Sequence, residues 1–191
     1  PVLRLLKWYR VTAVELGAQS MAAEVLRKNG RGHTPEDTAR ASRLVRGYGF
    51  SLGLQMMTGL YGDSDAGALY TARELISLKP DTVRIYPAVV LKNAGLERLY
   101  KTGEYVPQTL DAAVALCAGL ILLFRGADVR VIRTGLHAVD PDAFAAGPFH
   151  PAFAELCFNK IYLDKAAAML KLKGIGPGPA TVFAAPRAVS R

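Results

Sequence analysis

Short apolar, β-branched runs alternate with amphipathic stretches along most of this chain. The runs at residues 11–17, 50–57, 82–86 and 129–133 have the length and near-continuous apolar character of strands buried on both faces, as in a parallel sheet. Between them the pattern predicts helices over residues 20–28, from Thr34 to Gly47 or Gly49, and over residues 66–78, 95–102 and 110–124. Residues 3–9 read as the end of a helix, and residues 151–170 as another. Ser20 is placed to cap the first of these connecting helices. Thr34 caps the next, with Pro35 at its first position and Asp37 completing an acidic capping box. Strand alternating with helix predicts an α/β fold of parallel strands joined by helical crossovers. Three or four such units do not close a barrel alone, so the expectation is one side of a larger sheet.

Composition narrows this picture. With 191 residues, 51% hydrophobic and 21% charged, the chain can bury a core and is not a disordered segment. The longest greasy stretch, residues 112–124, falls short of the roughly 18 residues of a membrane span and reads as a buried helix. The chain opens at Pro1 with an apolar run broken by charge, so it is not expected to begin with a signal peptide. A strand expected at residues 181–185, close to the end at Arg191, gives the impression of a fragment. Cys117 and Cys157 lie far apart without a CxxC pattern, and are expected as buried free thiols of a cytoplasmic protein. The net charge of +8 favours an anionic partner such as nucleic acid, although the basic residues are dispersed.

Candidate chemistry sits where parallel sheets place it, at the carboxyl ends of the strands. Glu15 interrupts an apolar strand, so its carboxylate either pairs with a neighbouring arginine or faces a polar cavity. Gln19 lies just past the same strand, and Gln55 is the equivalent anomaly in the second. Tyr86, ending the third, is expected to converge with them. Arg31, in a glycine-rich loop, has the fork geometry to clamp a carboxylate, while His33 reads as part of a helix entry. The stretch Gly59-Leu60-Tyr61-Gly62-Asp63 precedes a helix as an anion loop does, but without the lysine of a P-loop. His137 and His150 stand in no metal-ligand pattern. The residues alone define a polar ligand face and no reaction.

Several segments taken in order resemble a known family. Glu15-Leu16-Gly17-Ala18-Gln19-Ser20, Gly30-Arg31-Gly32-His33-Thr34 and Gln55-Met56-Met57-Thr58-Gly59-Leu60 are followed by Arg84-Ile85-Tyr86-Pro87 and Gly95-Leu96-Glu97-Arg98-Leu99-Tyr100. They resemble the radical S-adenosylmethionine (SAM) enzymes related to the catalytic subunit of Elongator, including bacterial relatives described as oxygen-independent coproporphyrinogen oxidase-like. The resemblance implies the C-terminal part of a partial (β/α)6 barrel, strands four to six, over residues 1–139, with a mostly helical extension over residues 140–191. It implies SAM and a [4Fe–4S] cluster as cofactors, an electron donor as partner, and hydrogen abstraction by a 5′-deoxyadenosyl radical. It also implies tRNA as a candidate substrate. On this likeness Glu15, Gln19, Arg31, Gln55 and Tyr86 are cofactor-binding residues: Gln19 near the SAM ribose, Arg31 on the methionyl carboxylate, and Gln55 where coproporphyrinogen oxidase carries a SAM-contacting aspartate. Tyr61 replaces the proline of a Gly-Leu-Pro-Gly-Asp turn. The cluster-binding CxxxCxxC would lie upstream of Pro1, so the chain alone is expected to be inactive. The competing reading is a non-catalytic, basic α/β module that binds RNA.

Overall fold

The computed structural model describes residues 1–136 and 139–176, together with Gly178. His137 and the strand expected at residues 181–185 lie outside the described residues. In chain order the elements are α1 (Val2–Trp8), β1 (Ala13–Gln19), α2 (Ala23–Lys28), α3 (Pro35–Gly47), β2 (Ser51–Thr58), α4 (Asp65–Ser77) and β3 (Thr82–Pro87). They continue with β4 (Val90–Leu91), α5 (Gly95–Lys101), α6 (Leu110–Gly126), β5 (Arg130–Thr134), β6 (Phe144–Ala146) and α7 (Phe153–Leu172).

Local signals account for most of these boundaries. The Thr34 hydroxyl accepts from the Asp37 N–H at 3.2 Å, and the Asp37 carboxylate accepts from the Thr34 N–H at 2.9 Å, the reciprocal box expected from the sequence. Ser64 and Thr109 cap α4 and α6 in the same way, accepting from Gly67 and Ala112 N–H groups. The expectation for Ser20 is corrected. Its hydroxyl lies 3.3 Å from that of buried Thr71 and accepts from the Ala22 N–H, and α2 starts later, without a side-chain cap.

Strands β1, β2, β3 and β5 form one parallel sheet in that order, the adjacency the alternating pattern predicts. Leu52, Leu54 and Met56 of β2, with Val83 and Ile85 of β3, face helices α3, α4, α6 and α7 and are essentially inaccessible. Phe124, Leu120 and Ile121 of α6 fill the middle of this core, and Phe153, Cys157 and Ile161 of α7 close it. Fully burying a side chain of this size is worth roughly 1.5–3 kcal/mol, so the helix-covered face supplies the stability.

The opposite face departs from the expectation of strands apolar on both sides. Its residues are Glu15 and Gly17 of β1, Ser51, Gly53, Gln55 and Met57 of β2, and Thr82, Arg84 and Tyr86 of β3, partly exposed apart from Gly53. The strands therefore alternate apolar and polar, one set facing the helices and the other an open, polar surface.

Sequence inspection also missed β4 and β6, which pair antiparallel as a separate two-stranded sheet. Elements of two and three residues with partners so distant in the chain carry no periodic signal. A second small cluster, Val25, Leu60 and Ala88 with Ala22 and Met57, joins the segments that follow β1, β2 and β3. It ties the carboxyl ends of the strands into one rim.

Candidate functional site

The site begins with the register of the three central strands. Glu15, Gly53 and Thr82 form one cross-strand row, Gly17, Gln55 and Arg84 the next, and Met57 and Tyr86 the row after that. Partnered residues of a parallel pair share a face, so these rows climb the open face toward the carboxyl ends.

Glu15 is the third residue of β1, not the last, which corrects its expected place at the strand end. Its carboxylate lies 2.8 Å from Nε of Arg84, two strands away. The side chain crosses β2 over Gly53, where a Cβ atom would sit 3.2 Å from Cγ of Glu15 and 3.0 Å from Oγ1 of Thr82. A larger residue there would block the crossing. Arg84 in turn donates from Nη1 to the Tyr86 hydroxyl at 3.3 Å. Glu15, Arg84 and Tyr86 thus form a chain running up the open face, in which Glu15 is matched by a neighbouring arginine. Sequence reasoning did not single out Arg84, because the pairing exists only once the register brings β1 and β3 to either side of a glycine.

Gln19 ends β1 at a register irregularity, with φ of +62°. The other non-glycine residues at positive φ among the described residues, Arg10, Lys79, Asn93 and Asp128, all lie in connections outside strands. The left-handed conformation costs a residue with a Cβ roughly 1–2 kcal/mol, and such strain is retained where the surroundings hold it. Here Nε2 of Gln55 donates to Oε1 of Gln19 at 3.3 Å. Gly17 lies beneath: a Cβ there would come within 2.5 Å of Nε2 of Gln19. Gln19 is 8% exposed. Its amide is therefore folded over a glycine and fixed by a second amide, which leaves Nε2 of Gln19 and Oε1 of Gln55 without a protein partner among the described residues.

Arg31 approaches the same rim. Its Nη2 donates to the Met57 sulfur at 3.4 Å, and Met57 is in register with Tyr86. A thioether is a weak acceptor, so the guanidinium keeps nearly all its capacity for an anion. His33 donates from its ring to the Ala18 carbonyl at 3.1 Å and anchors the loop to β1, as a helix-entry residue should.

Two cavities open beside this rim, on either side of Tyr61. One, of about 310 Å³, is lined by residues 59–65 and by Glu104, Tyr105 and Gln108. It is acidic, with Asp63, Asp65 and Glu104 in its wall. Oδ2 of Asp63 is buried without a hydrogen-bond partner, and burial pushes the Asp63 carboxyl above the usual carboxylate range. An anion does not belong there, which removes the anion-loop reading of residues 59–63. The Tyr105 hydroxyl donates to the Gly59 carbonyl at 2.7 Å and holds this turn. The other cavity, about 440 Å³, carries Lys28, Arg31 and Arg98.

Tyr61 itself is pinned by Asn29. The Asn29 amide donates to the Tyr61 carbonyl at 2.9 Å and accepts from the Tyr61 N–H at 3.2 Å. A proline at that position could not make the second bond.

Metal chemistry finds no ligands in the described residues, where no group of three His, Cys, Asp or Glu could hold an ion. Cys117 and Cys157 are buried in the helix-side core, away from the open face. The Cys157 thiol beside it, together with burial, pushes the Cys117 thiol well above its ordinary range. Among the described residues no helix is long and apolar enough to cross a membrane.

An open polar face rimmed by the carboxyl ends of parallel strands is the architecture of one side of an α/β barrel, and here the comparisons with known proteins converge. Residues 80–162 match the Radical_SAM C-terminal domain. The chain is 35% identical over 108 residues to the tRNA uridine(34) acetyltransferase of Methanocaldococcus jannaschii, covering 55% of this chain and 20% of that protein. It is 31% identical over 118 residues to Elongator complex protein 3 of Danio rerio, covering 60% of this chain and 22% of the relative. The chain therefore spans about a fifth of the length of the curated relatives it matches. Among solved structures, the Elp3 of Methanocaldococcus infernus with an N-terminal deletion superposes with a TM-score of 0.77 at 27% identity, over 87% of this chain and 38% of that one. The coproporphyrinogen III oxidase HemN of Escherichia coli shares the fold, with a TM-score of 0.52 at 18% identity over 66% of this chain and 29% of that one. The chain is thus similar to the radical SAM enzymes of the Elongator kind, and its fold is the corresponding part of their barrel.

Proposed function

We propose that this chain forms the distal side of a radical SAM active site that modifies tRNA, with Gln19, Gln55, Arg31 and Tyr86 lining the SAM site and Glu15 and Arg84 holding Tyr86 in place. The observation that carries the reading is the pair of amides formed by Gln19 at the end of β1 and Gln55 within β2, fixed over Gly17 with a donor and an acceptor left for a ligand. Such a pair suits the hydroxyls of a ribose. The nearby Arg31, without a carboxylate partner among the described residues, suits the methionyl carboxylate. SAM therefore fits the residues present. A [4Fe–4S] cluster does not, because the cysteines face the wrong side of the sheet, and its ligands are proposed to come from another part of the protein. When bound, those groups supply reductive cleavage of the SAM sulfonium to a 5′-deoxyadenosyl radical, with electrons from a separate donor. This chain's residues bind and orient.

Support for a tRNA substrate is the name of the archaeal relatives and the net charge of +8. Buried free thiols are consistent with a cytoplasmic protein. The same charge also suits a non-catalytic RNA-binding module, and one experiment separates the two. In a polypeptide joining this chain to a cluster-binding segment, Arg31→Ala should weaken SAM binding by about 1.5–3 kcal/mol, the scale of a charge-assisted hydrogen bond. Unchanged SAM affinity by calorimetry would remove Arg31 from the site, and absence of SAM binding altogether would favour the module.

A further inference from the structure

The basic cavity has features that the proposed SAM site does not use. Lys28 at the end of α2 and Arg98 on α5 line it together with Arg31, and no carboxylate lies in its wall. The floor is apolar, built from Met57, Leu60, Leu96 and Leu99. Arg98 makes no ion pair among the described residues, and Arg31 rests on a thioether. Lys28 has only Glu24, 3.7 Å away on its own helix. The Lys28 ammonium stands 5.9 Å from the centre of the Tyr61 ring, and the Asn29 amide holds the Tyr61 backbone through both its N–H and its carbonyl. Cations gathered on an apolar wall, with Glu24 behind Lys28 as the one nearby counter-charge among the described residues, leave an electrostatic deficit that a bound anion would relieve. The acidic cavity across Tyr61 sharpens the point, because the two segregate opposite charge along one rim.

We propose that this cavity is a binding site for a phosphate ester, with Lys28 and Arg98 gripping the phosphate and the attached planar or apolar body lying on Met57, Leu60 and Leu96. A phosphate is favoured over a carboxylate because it carries more charge and presents more oxygens to the several donors available, and guanidinium forks match it in bidentate geometry. A volume of about 440 Å³ is within the range of pockets that hold small organic ligands. The phosphate comes from a free nucleotide or from one unit of an RNA strand. The cavity shares Arg31 with the proposed SAM site but is gripped through Lys28 and Arg98, which that site does not use, so variants of these two can fail without touching the SAM reading.

The test uses the 191-residue chain with 5′-AMP, followed by calorimetry, and with fluorescein-labelled hexauridylate, followed by anisotropy, both without SAM or cluster. The double variant K28E/R98E should weaken binding at least tenfold, and K28Q/R98Q several-fold. Charge reversal of Lys171 and Lys173 at the exposed end of α7 should change it less than twofold. All variants alter exposed side chains, and circular dichroism melts confirm that they fold. Binding of AMP alone with this dependence identifies a free nucleotide, and binding of both identifies a strand. No binding of either ligand, or equal losses in the α7 control, overturns the proposal.

Discussion

Along β2 and β3, Leu54, Met56, Val83 and Ile85 are buried against helices, while Gln55, Arg84 and Tyr86, one position away, lie on a face that no helix of the described chain covers. The first set is a packed apolar core. The second is a network of amides, an ion pair and a phenol built across strands. Both faces belong to the same strands with the same backbone hydrogen bonds, so their difference isolates what side chains contribute. On the helix side, tolerance to change is set by volume. On the open side it is set by which groups can reach one another, and glycines at 17 and 53 matter because they leave room for a neighbour's side chain.

The largest effect should fall on the covered face. Phe124→Ala, removing a fully buried ring, should cost about 3–5 kcal/mol in denaturant unfolding. Glu15→Gln, breaking an ion pair whose side chains are each about a third exposed, should cost no more than about 1 kcal/mol. Equal losses would erase the distinction. On the rim, Tyr105→Phe deletes the hydrogen bond to the Gly59 carbonyl and should cost about 1 kcal/mol in the same measurement.

Asp63 gives a smaller, pH-dependent effect. Burial raises its carboxyl pKa in the folded chain, so the folded state binds its proton more tightly than the unfolded one. The stabilising contribution of that proton is full below the unfolded pKa and is lost as pH rises through the raised value. Asp63→Asn should therefore raise the melting temperature near pH 7.5 and change it less near pH 4. The reverse order would mean that the carboxylate is favoured by its surroundings.

Least of all on stability should be Gly17→Ala, about 0.5–1 kcal/mol, because the new methyl meets only the far end of the Gln19 side chain and costs a single amide–amide hydrogen bond. It should nevertheless displace the Gln19 amide from Gln55 and weaken SAM binding in a cluster-loaded protein. A variant with native stability and native SAM affinity would detach this amide pair from the ligand.

Much of this was legible from local signals. The four parallel strands, the Thr34–Asp37 box and the family likeness all rest on residues close in sequence or on short contiguous motifs. What escaped depends on register. Glu15 was recognised as an anomaly with two solutions, but that Arg84 answers it follows only from β1 and β3 flanking Gly53. The polar open face was hidden because Ala13, Gly17 and Gly53, small rather than charged, blur the alternation that Glu15, Gln55 and Arg84 carry. The meeting of Cys117 and Cys157 likewise required the packing of α7 on α6.

The Asn29–Tyr61 pairing carries an evolutionary corollary. An amide that both gives to and takes from one peptide unit imitates a strand neighbour, and its worth depends on that peptide having an N–H. Where descent places a proline at position 61, half the pairing vanishes and selection to keep asparagine at 29 relaxes. The two positions should drift as a couple through the lineage, although they lie on separate loops and neither is among the residues proposed to touch SAM.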